Sequence, residues 1–394
     1  MDIDKYPIYI IMFSPACQER EVFSIYGLKE SLRNSDKILI LLPVIFACIS
    51  IIMVGSTSYT DHFNITRDLI VQISAYGIGF ILMFLMISLD YSHFAGIHHL
   101  LYIISIGLML LVYTPLGVEE YGSRAWITLG FTTVQPCEIV KLTFTIWYAS
   151  YLDRHREDLH HLKGLLKSFL LALPVIGLIA VEDLGNALVV FFMMIMMLYF
   201  AGVDGKLFAK CAGVFAACLP LAYLLMQSHQ RERIDAFLHP NDTSLSGNYQ
   251  VWNSKVAIGS GGLTGKGLFQ GTQKSLDYLP VAKSDFIFSV IGEELGFIGG
   301  ATLIGLYMLF IYRIIRVASN AKNMFGRLIV TGLGAMFMFQ VFENIGMTMG
   351  IMPVTGITLP FISYGGTSVI VNMAAAGIII GIGARNKIIH FSAK

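Results

Sequence analysis

The chain has 394 residues, 55% of them apolar and only 13% charged, at a mean hydropathy of +0.69. An average soluble domain carries about 25% charge, so the composition predicts a polytopic membrane protein. The net charge of +1, without a basic cluster, gives nucleic acid no footing.

The first 37 residues carry Asp2 and Asp4 where a secretory signal has a positive region. The apolar run Pro7 to Ala16 is followed by no A-x-A site and is too short to span a bilayer. Residues 1–37 therefore read as a cytoplasmic tail. Apolar stretches of about 20 residues mark spans. They fall near 38–58, 69–89, 97–117, 138–152, 165–181, 184–202, 207–226, 286–312, 327–351 and 363–384. The fourth and fifth are short or carry charge and proline. Glu182, Asp183 and Gly185 break what would otherwise be one helix over 165–202. The expected fold is an all-α polytopic membrane protein of about ten transmembrane helices. Residues 38–385 form its membrane domain, and 386–394 form a second cytoplasmic tail.

Eighteen of the 27 Lys and Arg residues fall on the side of the N-terminus. Positive charge favours the cytoplasmic side, so both termini are expected there. The long loop 227–285, between helices 7 and 8, is then extracytoplasmic. It holds Phe237, Tyr249 and Trp252, and loops this long are usually functional or disordered. Short packed helices are expected in it.

The five cysteines, Cys17, Cys48, Cys137, Cys211 and Cys218, have neither metal-ligand spacing nor an even count. The pairs His98-His99 and His160-His161 read as membrane-surface residues. Asn64-Ile65-Thr66 and Asn241-Asp242-Thr243 match the glycosylation pattern, which arises often by chance. The loop segment Ala257-Ile258-Gly259-Ser260-Gly261-Gly262-Leu263-Thr264-Gly265-Lys266-Gly267 resembles a nucleotide P-loop only superficially. Ser260 stands where the motif needs its first glycine, and Gly267 where it needs Ser or Thr. Two readings remain: a backbone nest with a lysine, suited to phosphate oxygens, or a plain glycine turn.

The acid that draws most attention is Asp285. It ends the polar loop, in Leu279-Pro280-Val281-Ala282-Lys283-Ser284-Asp285-Phe286, and a span begins directly after it. Glu138 and Lys141 stand at i, i+3 on a helix entering the membrane and can pair. Ionisable groups there face a cavity or one another. Arg124 with Trp126 suits an interfacial anchor. Glu293 and Glu294 follow Asp285 by about two helical turns. Glu343, Asn344 and Asn372 read as interhelical glue, and Gly377 and Gly381 as close-packing positions.

These segments together resemble the SEDS family (shape, elongation, division and sporulation) over roughly residues 38–385. The resemblance lies in Gly122-Ser123-Arg124-Ala125-Trp126-Ile127, Gln135-Pro136-Cys137-Glu138, Asp183-Leu184-Gly185, the glycine-lysine loop, Ser284-Asp285-Phe286-Ile287-Phe288, Gly292-Glu293-Glu294-Leu295-Gly296 and Leu359-Pro360-Phe361-Ile362-Ser363-Tyr364-Gly365-Gly366. Gly271-Thr272-Gln273, Asn344-Ile345-Gly346-Met347 and Pro353-Val354-Thr355-Gly356 look like the RodA branch. Cys137, Val181-Glu182 and Ala282-Lys283-Ser284 depart from the family's usual Ser, Gln-Pro and Glu-x-His-Thr. Lys283 puts a cation near Asp285, which would lower its pKa.

The resemblance implies a peptidoglycan glycosyltransferase that polymerises lipid II, the undecaprenyl-diphosphate-linked precursor, in the bacterial cytoplasmic membrane during cell-wall elongation. Asp285 would be the general base, with inversion at the anomeric carbon. Arg124, Trp126, Glu138, Lys141, Asp183, Lys266 and Gln273 are the expected substrate-binding residues. Arg124, Lys266 and Lys141 would steady the diphosphate as it leaves. No cofactor is demanded and no metal ligand is assigned, although Mg or Mn could share the leaving-group role. A class B penicillin-binding protein transpeptidase and other elongation-complex membrane proteins are the implied partners. The alternative is a flippase or transporter of the lipid-linked precursor.

Overall fold

A computed structural model of the chain describes residues 25–57 and 66–388, except 121–122, 129, 131–132, 211–212, 214–222, 224–225, 243–244, 277 and 280. Most of both expected tails, most of the expected span at 207–226, Cys17, Cys211, Cys218, Asn64, Ile65 and Thr243 lie outside the described residues.

Among the described residues the first long helix is α1 (Ile25–Asn34), followed by α2 (Lys37–Thr57), α3 (Arg67–Ser88) and α4 (His98–Leu111). A small antiparallel sheet comes next: β1 (Gly117–Glu120), β2 (Ser123–Thr128) and β3 (Thr133–Val134), in that order. Then come α5 (Pro136–Arg154), α6 (Leu162–Glu182), α7 (Leu184–Ala201), α8 (Ser228–Leu238), α9 (Ser246–Ser260), α10 (Ile287–Ser319), α11 (Met324–Thr348) and α12 (Gly366–Ile388). Among the described residues, seven helices are long and apolar enough to cross a membrane: α2, α3, α6, α7, α10, α11 and α12. The chain is a polytopic, mainly helical membrane protein.

Two expected spans differ in detail. The stretch at 97–117 is helical only to Leu111, giving about 21 Å of helix against a hydrocarbon core of about 30 Å. Pro115 and Gly117 end its helical pattern, and the chain turns into β1. The sheet itself was absent from the all-α expectation. Its middle strand alternates, with Ala125 and Ile127 buried, and Trp126 stands opposite Val118. The other span, α5, begins with Pro136 in its first turn, where no amide is needed.

Caps set the remaining boundaries. Asp183 separates α6 from α7 and accepts the Asn186 amide at 2.9 Å. Gly202 closes α7 in the left-handed region, at φ 95°. Thr66 caps α3 and Asn323 caps α11. The innermost spans are α11 and α12. Close packing of α12 on α3 depends on glycine: a Cβ on Gly377 would stand 2.5 Å from Met83 O.

Candidate active site

Asp285 sits in a tight turn directly ahead of α10. The Val281 carbonyl accepts from the amides of Ser284, Asp285 and Phe286 at 3.2, 3.1 and 3.4 Å. Later segments fasten that turn. Asn344 on α11 donates to Asp285 O at 2.9 Å and to Ile357 O at 2.7 Å. The Ser363 hydroxyl donates to Ser284 O, and the Tyr364 amide to Lys283 O. The Phe361 carbonyl two residues earlier accepts from the Tyr76 hydroxyl. Its ring stacks on Phe46 at 5.5 Å and Phe337 at 5.3 Å, so the segment is anchored in the core.

The Asp285 carboxyl faces Gly356. A Cβ there would lie 3.6 Å from Asp285 Oδ2 and 3.9 Å from Arg233 Nη1. Those are ordinary contact distances, but Gly356 has φ 76°, so any side chain there is strained by the backbone conformation. Arg233, on α8, donates to Thr355 O at 3.0 Å. Burial pushes the Asp285 carboxyl up to about 6; the Ser284 hydroxyl and the Arg233 guanidinium oppose the rise, and Asp183 adds to it.

The expected effect of Lys283 on Asp285 is replaced. Its Nζ lies 2.5 Å from Asp68 Oδ2 and 4.9 Å from the centre of the Tyr364 ring. The cation acting on the carboxyl is Arg233.

Asp183, Glu138 and Lys141 belong to one connected network. Lys141 Nζ donates to Glu138 Oε1 at 2.7 Å and to Asn186 Oδ1 at 3.0 Å. Asn186 Nδ2 donates to Asp183 Oδ2 at 2.7 Å, and Gln135 Nε2 reaches the same oxygen at 3.2 Å. Lys141 is 0% exposed and Glu138 2%. The pair is thus sealed inside the bundle, with Asp183 as its link toward Asp285. Arg124 joins the same end of the bundle: its amide donates to Glu182 Oε2 at 3.0 Å and its Nη2 to Thr114 O at 2.9 Å. Trp126 lies in the sheet.

Lys266 and Gln273 form a separate group. Lys266 Nζ meets Glu293 Oε1 at 2.7 Å and the Thr272 hydroxyl at 2.8 Å. The same carboxylate accepts the amides of Thr272 at 2.8 Å and Gln273 at 3.2 Å. The amides of Lys266 and Gly267 donate to the carbonyls of Glu293 and Glu294 at 3.0 Å each. Glu294 accepts the Phe269 amide at 3.2 Å and the Ser56 hydroxyl at 2.6 Å. Of the two readings of the glycine-lysine segment, the turn describes its backbone: the Lys266 and Gly267 amides bond to carbonyls, and the Glu293 and Glu294 carboxylates are held instead by the amides of Phe269, Thr272 and Gln273 that follow it. Among the described residues no hydrogen bond or ion pair joins this group to Asp285.

Sequence reasoning missed Arg233, Asn186 and Gln135 as members of the site. Arg233 follows Gln230, Arg231 and Glu232, a run that reads as a solvated helix face. Only the fold brings it to the Thr355–Gly356 turn. Among the described residues no group of three or more His, Cys, Asp or Glu could hold a metal ion.

Comparison with known proteins adds an independent line. The model of the FtsW, RodA and SpoVE family, described as cell cycle proteins, matches residues 36–388. The peptidoglycan glycosyltransferase MrdB of Escherichia coli K12 is 33% identical over 358 residues, 91% of this chain and 95% of its own. Stage V sporulation protein E of Bacillus subtilis is 33% identical over 362 residues, covering 89% of this chain and 97% of its own. Among solved structures, one reported for the coordination of polymerization and crosslinking by a peptidoglycan synthase complex superposes with a TM-score of 0.76 at 30% identity, covering 90% of this chain and 99% of that one. The rod shape determining protein RodA of Thermus thermophilus gives a TM-score of 0.66 at 31% identity, covering 90% and 98%. With the motif series, the helical fold and nearly full-length matches in agreement, the chain belongs to the FtsW, RodA and SpoVE family of cell cycle proteins, the SEDS family.

Proposed function

We propose that this protein is a peptidoglycan glycosyltransferase that joins lipid II units into glycan strands, with Asp285 as general base. The observation that carries the reading is the Asp285 carboxyl, raised to about 6 and facing Arg233 across the gap left by Gly356. At neutral pH such an acid is mostly ionised yet basic enough to accept a proton in the transition state. Asp285 takes the proton from the acceptor sugar's 4-hydroxyl as its oxygen attacks the donor's anomeric carbon. The diphosphate–lipid leaves from the opposite face, so the configuration inverts.

A diphosphate needs no protonation to depart, so one base and nearby positive charge suffice. Arg233 is the best-placed cation, and Arg124 stands at the same end of the bundle. Lys266 and Lys141 are already neutralised by Glu293 and Glu138. They hold the scaffold rather than the leaving group. Trp126 and Gln273 remain proposed contacts for the substrate's sugar and peptide parts.

The positive-charge count supports an orientation with both termini inside and Asp285 outside, and the bacterial relatives support the bacterial cytoplasmic membrane as the setting. The similarity to a synthase complex supports a class B penicillin-binding protein transpeptidase as partner, alongside other elongation-complex membrane proteins. The test is polymerisation of purified lipid II. Asp285→Asn should remain folded in the membrane and make no glycan product; undiminished polymer from that variant would end the assignment.

A further inference from the structure

One buried acid is used by neither the fold's ion pairs nor the proposed chemistry. Glu343, on α11, is 1% exposed. Its Oε1 accepts the Thr355 hydroxyl at 3.1 Å, and its Oε2 has no hydrogen-bond partner among the described residues. No ion pair among the described residues reaches it. An ionised carboxylate in that position would lack any compensating cation, at a penalty of several kcal/mol. A neutral carboxyl avoids that penalty.

Its one partner is informative. Thr355 is itself buried, and it is held at both ends: the hydroxyl by Glu343 and the carbonyl by Arg233 Nη1. The next residue is Gly356, whose missing side chain leaves the space that Asp285 and Arg233 share. A continuous chain of contacts therefore runs from Glu343 through Thr355 to Arg233, and Arg233 acts on the Asp285 carboxyl. Asn344, the neighbour of Glu343 on the same helix, holds the Asp285 carbonyl. One turn of α11 thus supports both the base and its cation.

We infer that Glu343 is a neutral positioning acid, which fixes Thr355 and through it sets Arg233 against Asp285. The inference rests on Asp285 acting as the base. Glu343 touches no reacting atom, and its effect is read through the protonation of Asp285. The charged groups around that carboxyl are Arg233 from α8, Asp183 from the α6–α7 junction and Lys283 on the same turn, the last engaged with Asp68.

The experiment is the pH–rate profile of lipid II polymerisation by the purified full chain and four variants. Glu343→Gln keeps an oxygen for the Thr355 hydroxyl, so its rate should stay within about twofold of the parent, with the same acid limb. Glu343→Leu removes that acceptor. Its rate should fall about tenfold, the worth of one hydrogen bond, and its acid limb should move to higher pH as the Arg233 influence weakens. Thr355→Val should reproduce the Leu profile, which keeps the test open if the Leu variant does not fold. The double variant Glu343→Gln, Thr355→Val should be no worse than Thr355→Val alone. A Leu or Val variant with the parent's rate and acid limb would overturn the inference. So would a Gln variant as impaired as Leu, because then the charge matters. An active Asp285→Asn enzyme would instead overturn the base assignment, a separate result.

Discussion

Replacing Lys141 with Met is the most direct probe of the sealed ion pair beneath the site. Lys141 and Glu138 are 0% and 2% exposed, with 2.7 Å between Nζ and Oε1. Met keeps most of the volume and removes the charge. It strands Glu138, whose Oε2 already lacks a partner, and leaves the Asn186 carbonyl oxygen without its donor. Breaking one side of such a pair costs about 3–5 kcal/mol. With an unfolding entropy of roughly 2.1 cal/mol/K per residue, that corresponds to a fall in Tm of roughly 4–6 °C. A detergent-unfolded state that keeps its helices has a smaller entropy and a larger fall. The assay is thermal unfolding of the purified protein in detergent, followed by the loss of its monodisperse peak. Adding Glu138→Gln to Lys141→Met should recover most of the loss, because a neutral pair leaves no buried charge. A Lys141→Met protein as stable as the parent would refute the buried-pair argument, and so would a double variant no better than the single.

Four further outcomes are expected. Asp285 must be ionised to act as a base, so polymerisation should rise with pH to a plateau, half-developed near pH 6, and Arg233→Gln should move that midpoint upward. Because folding raises this carboxyl above its ordinary range, its linked contribution to stability is most favourable below the unfolded value and diminishes as pH rises through about 6; Asp285→Asn should accordingly melt higher than the parent at pH 8. Gly356→Ala places a methyl 3.6 Å from Asp285 Oδ2 at a φ of 76°, and should cut kcat more than tenfold while the protein stays in the membrane, which a membrane-fraction blot and the polymer assay together check. Glu293→Ala removes the acceptor of Lys266, Thr272 and Gln273, and limited proteolysis should then cut within residues 262–276 at least ten times faster.

The membrane fold was largely legible because long apolar stretches carry a strong signal, and the break at Asp183 was visible as a polar cluster between two of them. The small sheet was not: Ser123 to Thr128 is six residues long, too short for its alternation to stand out beside the adjoining span. Asp285 was legible from its place between a polar loop and an apolar run. The true relations of the lysines were not, because a cation's partner is a tertiary fact. Lys283 lies two residues from Asp285 yet pairs with Asp68, over 200 residues away in the chain. Lys266 could be read as a phosphate ligand because glycines surround it, and nothing local says that Glu293 folds back to pair with it. Arg233 lay inside a charge run that only its contact with Thr355 singles out.

The glycine-lysine segment and the start of α10 close on each other like a noose. Lys266 and Gly267 bond to Glu293 and Glu294, and the Phe297 and Ile298 amides return to Gly262 O at 2.9 Å and Leu263 O at 3.1 Å. Asp285 lies within that closure. These bonds close stretches of 27 to 35 residues, whereas 59 residues separate Asp285 from Asn344 and 79 separate Ser284 from Ser363, so the noose costs less chain entropy to close than the fastenings do. The fastenings from Asn344 and Ser363 belong to segments that emerge later. A fragment that ends before Asn344 would therefore keep the noose yet leave the Asp285 turn without its brace.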